Sequence, residues 1–436
     1  MPRASHLPVI PTEPEQPAKL TPRTVMAVGV GNALEFYDFG TFAYFAIQIG
    51  RTFFPPDSAH GLLYTLATFG VGFLTRPLGA LVIGRYADRV GRTAAMLTSF
   101  SLMGLGILGI ALTPGYARIG MAAPVLLVCF RLMQGFAVGG EVGPSTAYLA
   151  ECAPPERRGL YVALQLATQY AAGLASGIVG FVLALTLSDT QLESWGWRLA
   201  LLLGVLVVPA GIYIRRRLPE SAGQGTILAG ERPLDVALLL RLMFATAACT
   251  TCVYVVDYMN TYVQDTLGLG VHFGFGATIV EGLVVMGMAP LGGALSDHLG
   301  RKRVMLCALA ALVLVVGPAY LAMTTWRSPW VVYAATALLA ALQALMVTCG
   351  ITLGVESMPR AMRATAYGLL YAVVVAVFGG FAQFIVRSLI ELTGNPLAPA
   401  GYLILVLIIS GVAVLGVRET APRATLVNWP KSQEAI

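Results

Sequence analysis

Apolar segments of about twenty residues recur along the whole of this chain, among them "MLTSFSLMGLGILGIAL", "LALLLGVLVVPAGIYI", "VMLCALAALVLVVGPAYLAM" and "GYLILVLIISGVAVLGV". A helix rises about 1.5 Å per residue, so runs of this length match the hydrocarbon thickness of a bilayer. Inside lipid each backbone N–H and C=O must be satisfied within its own segment, which makes helices the reading for such runs. Composition agrees: 11% of the 436 residues are charged, against about 25% in soluble domains. The chain reads as an all-α, polytopic integral membrane protein. Twelve spans can be drawn, at 23–50, 62–84, 93–113, 122–147, 160–187, 196–215, 236–264, 272–295, 303–324, 330–355, 362–391 and 400–418.

The net charge of +6 does not point to nucleic acid, because of where the basic residues fall. They cluster between spans as Arg85/Arg89/Arg92, Arg157/Arg158, Arg215/Arg216/Arg217, Arg301/Lys302/Arg303 and Arg360/Arg363, while the alternate connections hold only Arg51, Arg118, Arg198 and Arg327. That asymmetry is the positive-inside pattern, and it places both termini in the cytoplasm. Residues 1–22 are polar and proline-rich without an apolar h-region, which reads as a cytoplasmic tail and not a signal peptide. Residues 216–235, rich in Pro, Gly and charge, read as a cytoplasmic linker between a six-helix bundle at 23–215 and another at 236–418, with 419–436 as a second tail. Cys249 and Cys252 form a CxxC, but without a second pair or a nearby His it reads as small residues at a helix contact and not a metal site.

The halves repeat. "GRYADRVGRT" from Gly84 and "GALSDHLGRK" from Gly293 both read G-x-x-x-D-x-x-G-R, and lie 209 residues apart. "ECAPPERRG" from Glu151 and "ESMPRAMRA" from Glu356 lie 205 apart. Two motifs returning in order at nearly one spacing indicate duplicated six-helix units. Parallel repeats related by an axis along the membrane normal leave a central site that rocking exposes to each side in turn, the architecture of a carrier.

These residues resemble the major facilitator superfamily. Within it, "GNALEFYDF", "FLTRPLGALVIGRYADRVGR", "RLMQGFAVGGEVG", "YLAECAPPERRG" and "WGWRLALLLG" are similar to the metabolite:proton symporters, and most of all to the citrate and tricarballylate branch. The resemblance covers nearly the whole chain and is densest over 31–200. It implies twelve transmembrane helices in two pseudo-symmetric bundles, and uptake of a small carboxylate with protons across a bacterial-type inner membrane. It implies no bound cofactor or metal, a single chain as the working unit, and no enzymatic step. The motif matches are Glu35 and Asp38, Arg76, Arg131 and Glu141. Asp88 and Arg92, their copies Asp297 and Arg301, and Glu141 and Glu151 are assigned to gating.

Eight ionisable groups are placed at bilayer depth: Glu35, Asp38, Glu141, Asp257, Glu281, Arg76, Arg131 and Arg387. Such groups are costly and usually face a cavity. Glu35 and Asp38, three residues apart, share one helix face. Burial and like charge disfavour an ionised carboxylate while a nearby arginine favours it, so a site where these nearly cancel can exchange a proton near neutral pH. Asp38 is the expected coupling acid, with Glu35 beside it and Arg76 as its switchable partner. The planar forks of Arg76 and Arg131 suit a substrate carboxylate, with Arg387 as a third contact from the other half. Gln165 and Gln169, a turn apart, are expected to orient the ligand.

Asp257 and Glu281 depart from the branch's pattern, which has apolar residues there. Surplus negative charge suits a trivalent anion poorly unless acids are protonated or paired. It favours a smaller mono- or dicarboxylate, or a zwitterion whose amine meets Asp257 or Glu281. Pairing of Asp257 with Arg387 is an open alternative. The competing function is import of a betaine- or proline-like zwitterion, and after it export by proton antiport. An enzyme is disfavoured, since the four His are unclustered and no nucleophile–base constellation is present.

Overall fold

A computed structural model describes residues 32–33, 36–55, 58, 60–139, 142–205, 209, 235–359 and 363–422. Among the described residues there is no strand. The helices are α1 (36–53), α2 (Gly61–Leu74 continued by Arg76–Val90), α3 (Arg92–Leu112), α4 (Ala122–Val138 continued by Val142–Cys152), α5 (Arg158–Thr186), α6 (Trp197–Val205), α7 (Val236–Thr266), α8 (Val271–Leu299), α9 (Arg301–Trp326), α10 (Pro329–Glu356), α11 (Arg363–Thr393) and α12 (Ala398–Leu415). Eight of the described helices are long and apolar enough to cross a membrane, and two shorter ones are apolar. Each expected span meets one helix. The expected linker and most of both tails lie outside the described residues. The start of the second tail is tied down, since Glu419 accepts from the backbone N–H groups of Arg301 and Lys302 and so caps α9.

The duplication is visible in backbone geometry. Gly91 between α2 and α3 has φ 113° and ψ 150°; Gly300 between α8 and α9 has φ 107° and ψ 142°. Only glycine adopts this region readily, which is why both motif copies carry it 209 residues apart.

Small residues let the halves approach. A Cβ on Gly159 of α5 would lie 2.8 Å from the Gly293 carbonyl of α8, and one on Gly180 2.2 Å from the Phe275 ring. On the other flank, a Cβ on Gly70 of α2 would lie 2.9 Å from the Gly380 carbonyl of α11. Without a hydrophobic drive between helices in lipid, close backbone approach is a main source of their association. π-helical segments interrupt α11 at Val375–Gly379 and end α7 at Tyr262–Thr266. Such bulges re-aim side chains. The expected "WGWR" motif serves the fold. Trp197 is fully buried, and Arg198 donates to the carbonyls of Ala111 and Thr113, satisfying the C-terminal end of α3.

Candidate functional site

The first described turn of α1 carries Asp38 into the protein interior, 1% exposed, 3.6 Å from Nη1 of the fully buried Arg131 on α4. That Nη1 also donates to Gln134 at 2.8 Å. Among the described residues neither Asp38 oxygen has a hydrogen-bond partner of good geometry, and neither do the Nε and Nη2 of Arg131. The pair is thus held by charge and not by a fork-to-fork contact, and the guanidinium edge suited to a carboxylate is open.

Arg131 was not the expected partner of Asp38. Arg76 was, but it stacks on Phe73 and Phe39, 4.2 and 4.7 Å from their centroids. Phe39 is shared, since the Arg131 guanidinium lies 4.6 Å from the same ring. Cation–π contacts of this kind stabilise by about 0.5–2 kcal/mol each. The structure therefore brings Asp38, Arg76 and Arg131 together around Phe39, a residue the sequence reading passed over although it adjoins Asp38. Glu35 and Glu141 lie outside the described residues.

The C-terminal half holds a different arrangement. Asp257 of α7 and Glu281 of α8 lie within electrostatic reach of each other. Tyr44 of α1 neighbours Asp257, and Gln343 of α10 neighbours Glu281. Gln343 Nε2 also donates to the Tyr170 hydroxyl of α5 at 2.5 Å. Among the described residues neither acid has an ion pair. The alternative pairing of Asp257 with Arg387 is not what forms: Arg387 binds Asp265 at 2.5 Å and Glu391 at 3.1 Å. Asp265, eight residues beyond Asp257 along α7, was not singled out from sequence.

Two voids of about 40 Å³ each lie between the halves, both touching Phe36, Gln169 and Tyr254. Asp257 and Phe39 border one of them. Each has room for a few water molecules. Ligand pockets enclose roughly 300–1,000 Å³, so the halves are closed on one another in this state. Gln169 faces both voids and donates to Asn32 at 3.2 Å. Gln165 is instead spent inside the N-terminal half, accepting from Thr146 at 2.8 Å.

The end where α2 meets α3 and α8 meets α9 is the basic end, and ion pairs close it. Arg363 meets Glu151 at 3.5 Å and Arg158 meets Glu356 at 3.4 Å. Arg158 and Arg363 are 205 residues apart, as are Glu151 and Glu356, so these are one contact made twice, crossed between halves. Asp297 accepts from the N–H groups of Gly159 and Leu160 at 2.9 and 3.0 Å, at the start of α5, and pairs with Arg301 at 2.6 Å. Arg301 reaches Glu356 at 3.3 Å, and Thr420 donates to the same carboxylate. Glu356 is the hub of this end. It was absent from the expected site, although its place in the second repeat motif was the signal for it. The side chains of Asp88 and Arg92 lie outside the described residues.

A helical chain with two motif-related halves, closed at one end by crossed ion pairs around a central cluster of buried charges, is a carrier of the alternating-access class. Comparison with known proteins gives the family. The model of the major facilitator superfamily matches residues 28–383, and the chain belongs to that superfamily. It is 34% identical over 405 residues to a citrate-proton symporter of Salmonella typhi, covering 87% of this chain and 90% of that one. It is 35% identical over 376 residues to the alpha-ketoglutarate permease of Escherichia coli (84% and 86%), and 32% identical over 424 residues to a putative proline/betaine transporter of Staphylococcus haemolyticus (94% and 90%). Among solved structures, the proton:xylose symporter XylE bound to 6-bromo-6-deoxy-D-glucose superposes with TM-score 0.76 at 16% identity, covering 93% of this chain and 98% of that one; at that identity the likeness is one of fold.

Proposed function

We propose that the chain imports a small organic acid, citrate-, other tricarboxylate- or dicarboxylate-like, by proton symport with alternating access. The observation that carries this reading is the Asp38–Arg131 pair, buried, loosely joined and with the forked edge of Arg131 unpartnered among the described residues. A proton on Asp38 removes the charge that holds Arg131. The Nε–Nη2 edge then receives a substrate carboxylate, which keeps the buried guanidinium compensated while the halves close. When the carrier opens to the other side, substrate leaves, Asp38 loses its proton, and the pair re-forms. Arg76 supplies a second cation against Phe39. Phe39 and Phe69 border the void and touch Arg131, so they must turn aside for a ligand to reach it.

In this reading the bundles span 23–215 and 236–418, joined by a cytoplasmic linker at 216–235. The basic end and both termini face the cytoplasm of a bacterial-type inner membrane, and one chain suffices, with no cofactor, nucleic acid or enzymatic step. The crossed ion pairs, with Asp297 on the start of α5, form the cytoplasmic gate that opens to release substrate. The names of the citrate and alpha-ketoglutarate relatives support the carboxylate. A second reading, import of a betaine- or proline-like zwitterion, draws support from the acid pair Asp257–Glu281 and from the proline/betaine relative. The test is uptake by the purified protein in proteoliposomes under an imposed pH gradient, across citrate, 2-oxoglutarate, aromatic acids and glycine betaine. Accumulation of a carboxylate that collapses with a protonophore supports symport of an acid. Accumulation of glycine betaine alone transfers the assignment to the second reading, and uptake indifferent to the pH gradient rejects symport.

A further inference from the structure

We propose that Tyr254 of α7 is the residue through which the C-terminal half holds the empty carrier closed: its ring keeps a phenylalanine cover seated on Arg131 and Arg76, and substrate displaces that cover. Tyr254 is thus a positioning residue for the return of the unloaded carrier. This role deepens the symport reading and rests on it for its transport consequence.

The rings run continuously from one half to the other. The Arg131 guanidinium lies 5.3 Å from the Phe69 ring and that of Arg76 4.2 Å from the Phe73 ring, both rings belonging to α2. Tyr254 meets those same two rings from the C-terminal half. Its centroid is 5.8 Å from Phe69 and 5.4 Å from Phe73, with interplanar angles of 68° and 80°. Edge-to-face geometry sets the positive rim of one ring against the negative face of the other, so these contacts attract and also fix orientation.

Tyr254 is wedged from behind by α11. A Cβ on Gly379, in the π-helical segment, would lie 2.8 Å from its ring, and Gln383 donates to its carbonyl at 3.3 Å. The next residue, Gly380, makes room for Phe73, since a Cβ there would lie 2.7 Å from that ring. Adjacent glycines thus let a ring from each half pack against one helix.

The contact belongs to one part of the cycle. Asp38 pairs with Arg131 in this closed form, which in the symport reading is the pairing of the unloaded return. A carboxylate that reaches the Nε–Nη2 edge of Arg131 needs Phe69 turned aside, and Tyr254 then loses one of its two partners. Tyr254 also borders both voids, so the space a ligand enters is bounded by the ring whose contacts it breaks. A contact made in one state stabilises that state alone. Tyr254 therefore favours closure of the empty carrier and leaves closure around substrate to the ligand.

The experiment uses the full chain as wild type, Tyr254→Leu, Tyr254→Phe and Phe73→Leu. In proteoliposomes under a one-unit pH gradient, labelled 2-oxoglutarate and citrate report initial net uptake, final accumulation, and exchange at equilibrium. Cys249 borders one void and is a native reporter of opening, read by its rate of modification with N-ethylmaleimide. In Tyr254→Leu, net uptake should be about tenfold slower and Cys249 modification about tenfold faster, through loss of two ring pairs. Exchange and final accumulation should be unchanged, which separates this variant from Asp38→Asn. Tyr254→Phe keeps the ring and should match wild type throughout. Phe73 lines neither void, yet Phe73→Leu should speed Cys249 modification as Tyr254→Leu does.

Exchange slowed as much as net uptake, or a Tyr254→Phe that behaves like Tyr254→Leu, overturns the role. So do Cys249 rates unchanged in both leucine variants. Faster modification in Tyr254→Leu alone overturns it too, by making the effect one of local space. If wild type takes up neither compound, the symport reading fails, and the Cys249 rates alone decide whether the ring contact closes the halves.

Discussion

The N-terminal half buries an acid beside an arginine; the C-terminal half buries two acids beside each other. Both arrangements sit at the contact between halves, yet they solve the cost of buried charge differently. Asp38 and Arg131 cancel one another and leave hydrogen-bonding edges open. Asp257 and Glu281 lie near one another without an arginine beside them among the described residues, with tyrosines and a glutamine around them. The first can be opened by adding a proton to Asp38, whereas the second has no ion pair to open. A duplicated fold thus supplies equivalent helices without obliging them to carry equivalent chemistry.

Removing one partner from each half would separate these solutions. Arg131→Gln leaves Asp38 without its cation and should destabilise by about 3–5 kcal/mol, or else force Asp38 to hold a proton permanently. Glu281→Gln takes no partner from a cation and should cost about 1 kcal/mol or less. Thermal unfolding in detergent checks both. Equal losses would show that the two halves bury their charge in the same way.

The crossed ion pairs at the basic end make a second comparison, since sequence presents them as identical and burial does not. Glu356 is 4% exposed and joins Arg301, Arg158 and Thr420, whereas Glu151 is 49% exposed and, among the described residues, pairs with Arg363. Glu356→Gln should therefore cost about 3 kcal/mol, and Glu151→Gln under about 1 kcal/mol. Cysteine cross-linking between the α4–α5 and α10–α11 turns would report whether the gate opens more often in the first variant than in the second. The smallest expected difference is between the repeat glycines. Gly91→Ala and Gly300→Ala force a side chain into the same unfavourable backbone region and should each cost about 1–3 kcal/mol, within error of each other.

Much of this was legible in the sequence because it depends on local pattern. Apolar length set the helices, and the returning G-x-x-x-D-x-x-G-R and Glu-to-Arg spacings pointed to the ion pairs of the basic end. Partner choice was not legible, because the buried helices are apolar on nearly every face and their rotation leaves no periodic mark. Asp38 therefore met Arg131 when Arg76 was expected, and Asp257 lies near Glu281 and Tyr44 and does not pair with Arg387. Arg387 found Asp265 instead, near the far end of α7. Glu356 was visible as the copy of Glu151, but nothing in the chain said that one copy would be buried and the other exposed. Phe39 was hidden among many aromatics, since only the fold shows that two guanidinium groups share its ring.

The most direct measurement is made on Asp38→Asn in proteoliposomes, comparing accumulation of a transported carboxylate under a pH gradient with exchange of the same compound at equilibrium. Loss of accumulation with exchange retained is the predicted result, because an asparagine mimics the protonated acid and leaves Arg131 free for substrate. Accumulation equal to wild type would contradict the account, by showing that the proton travels without Asp38.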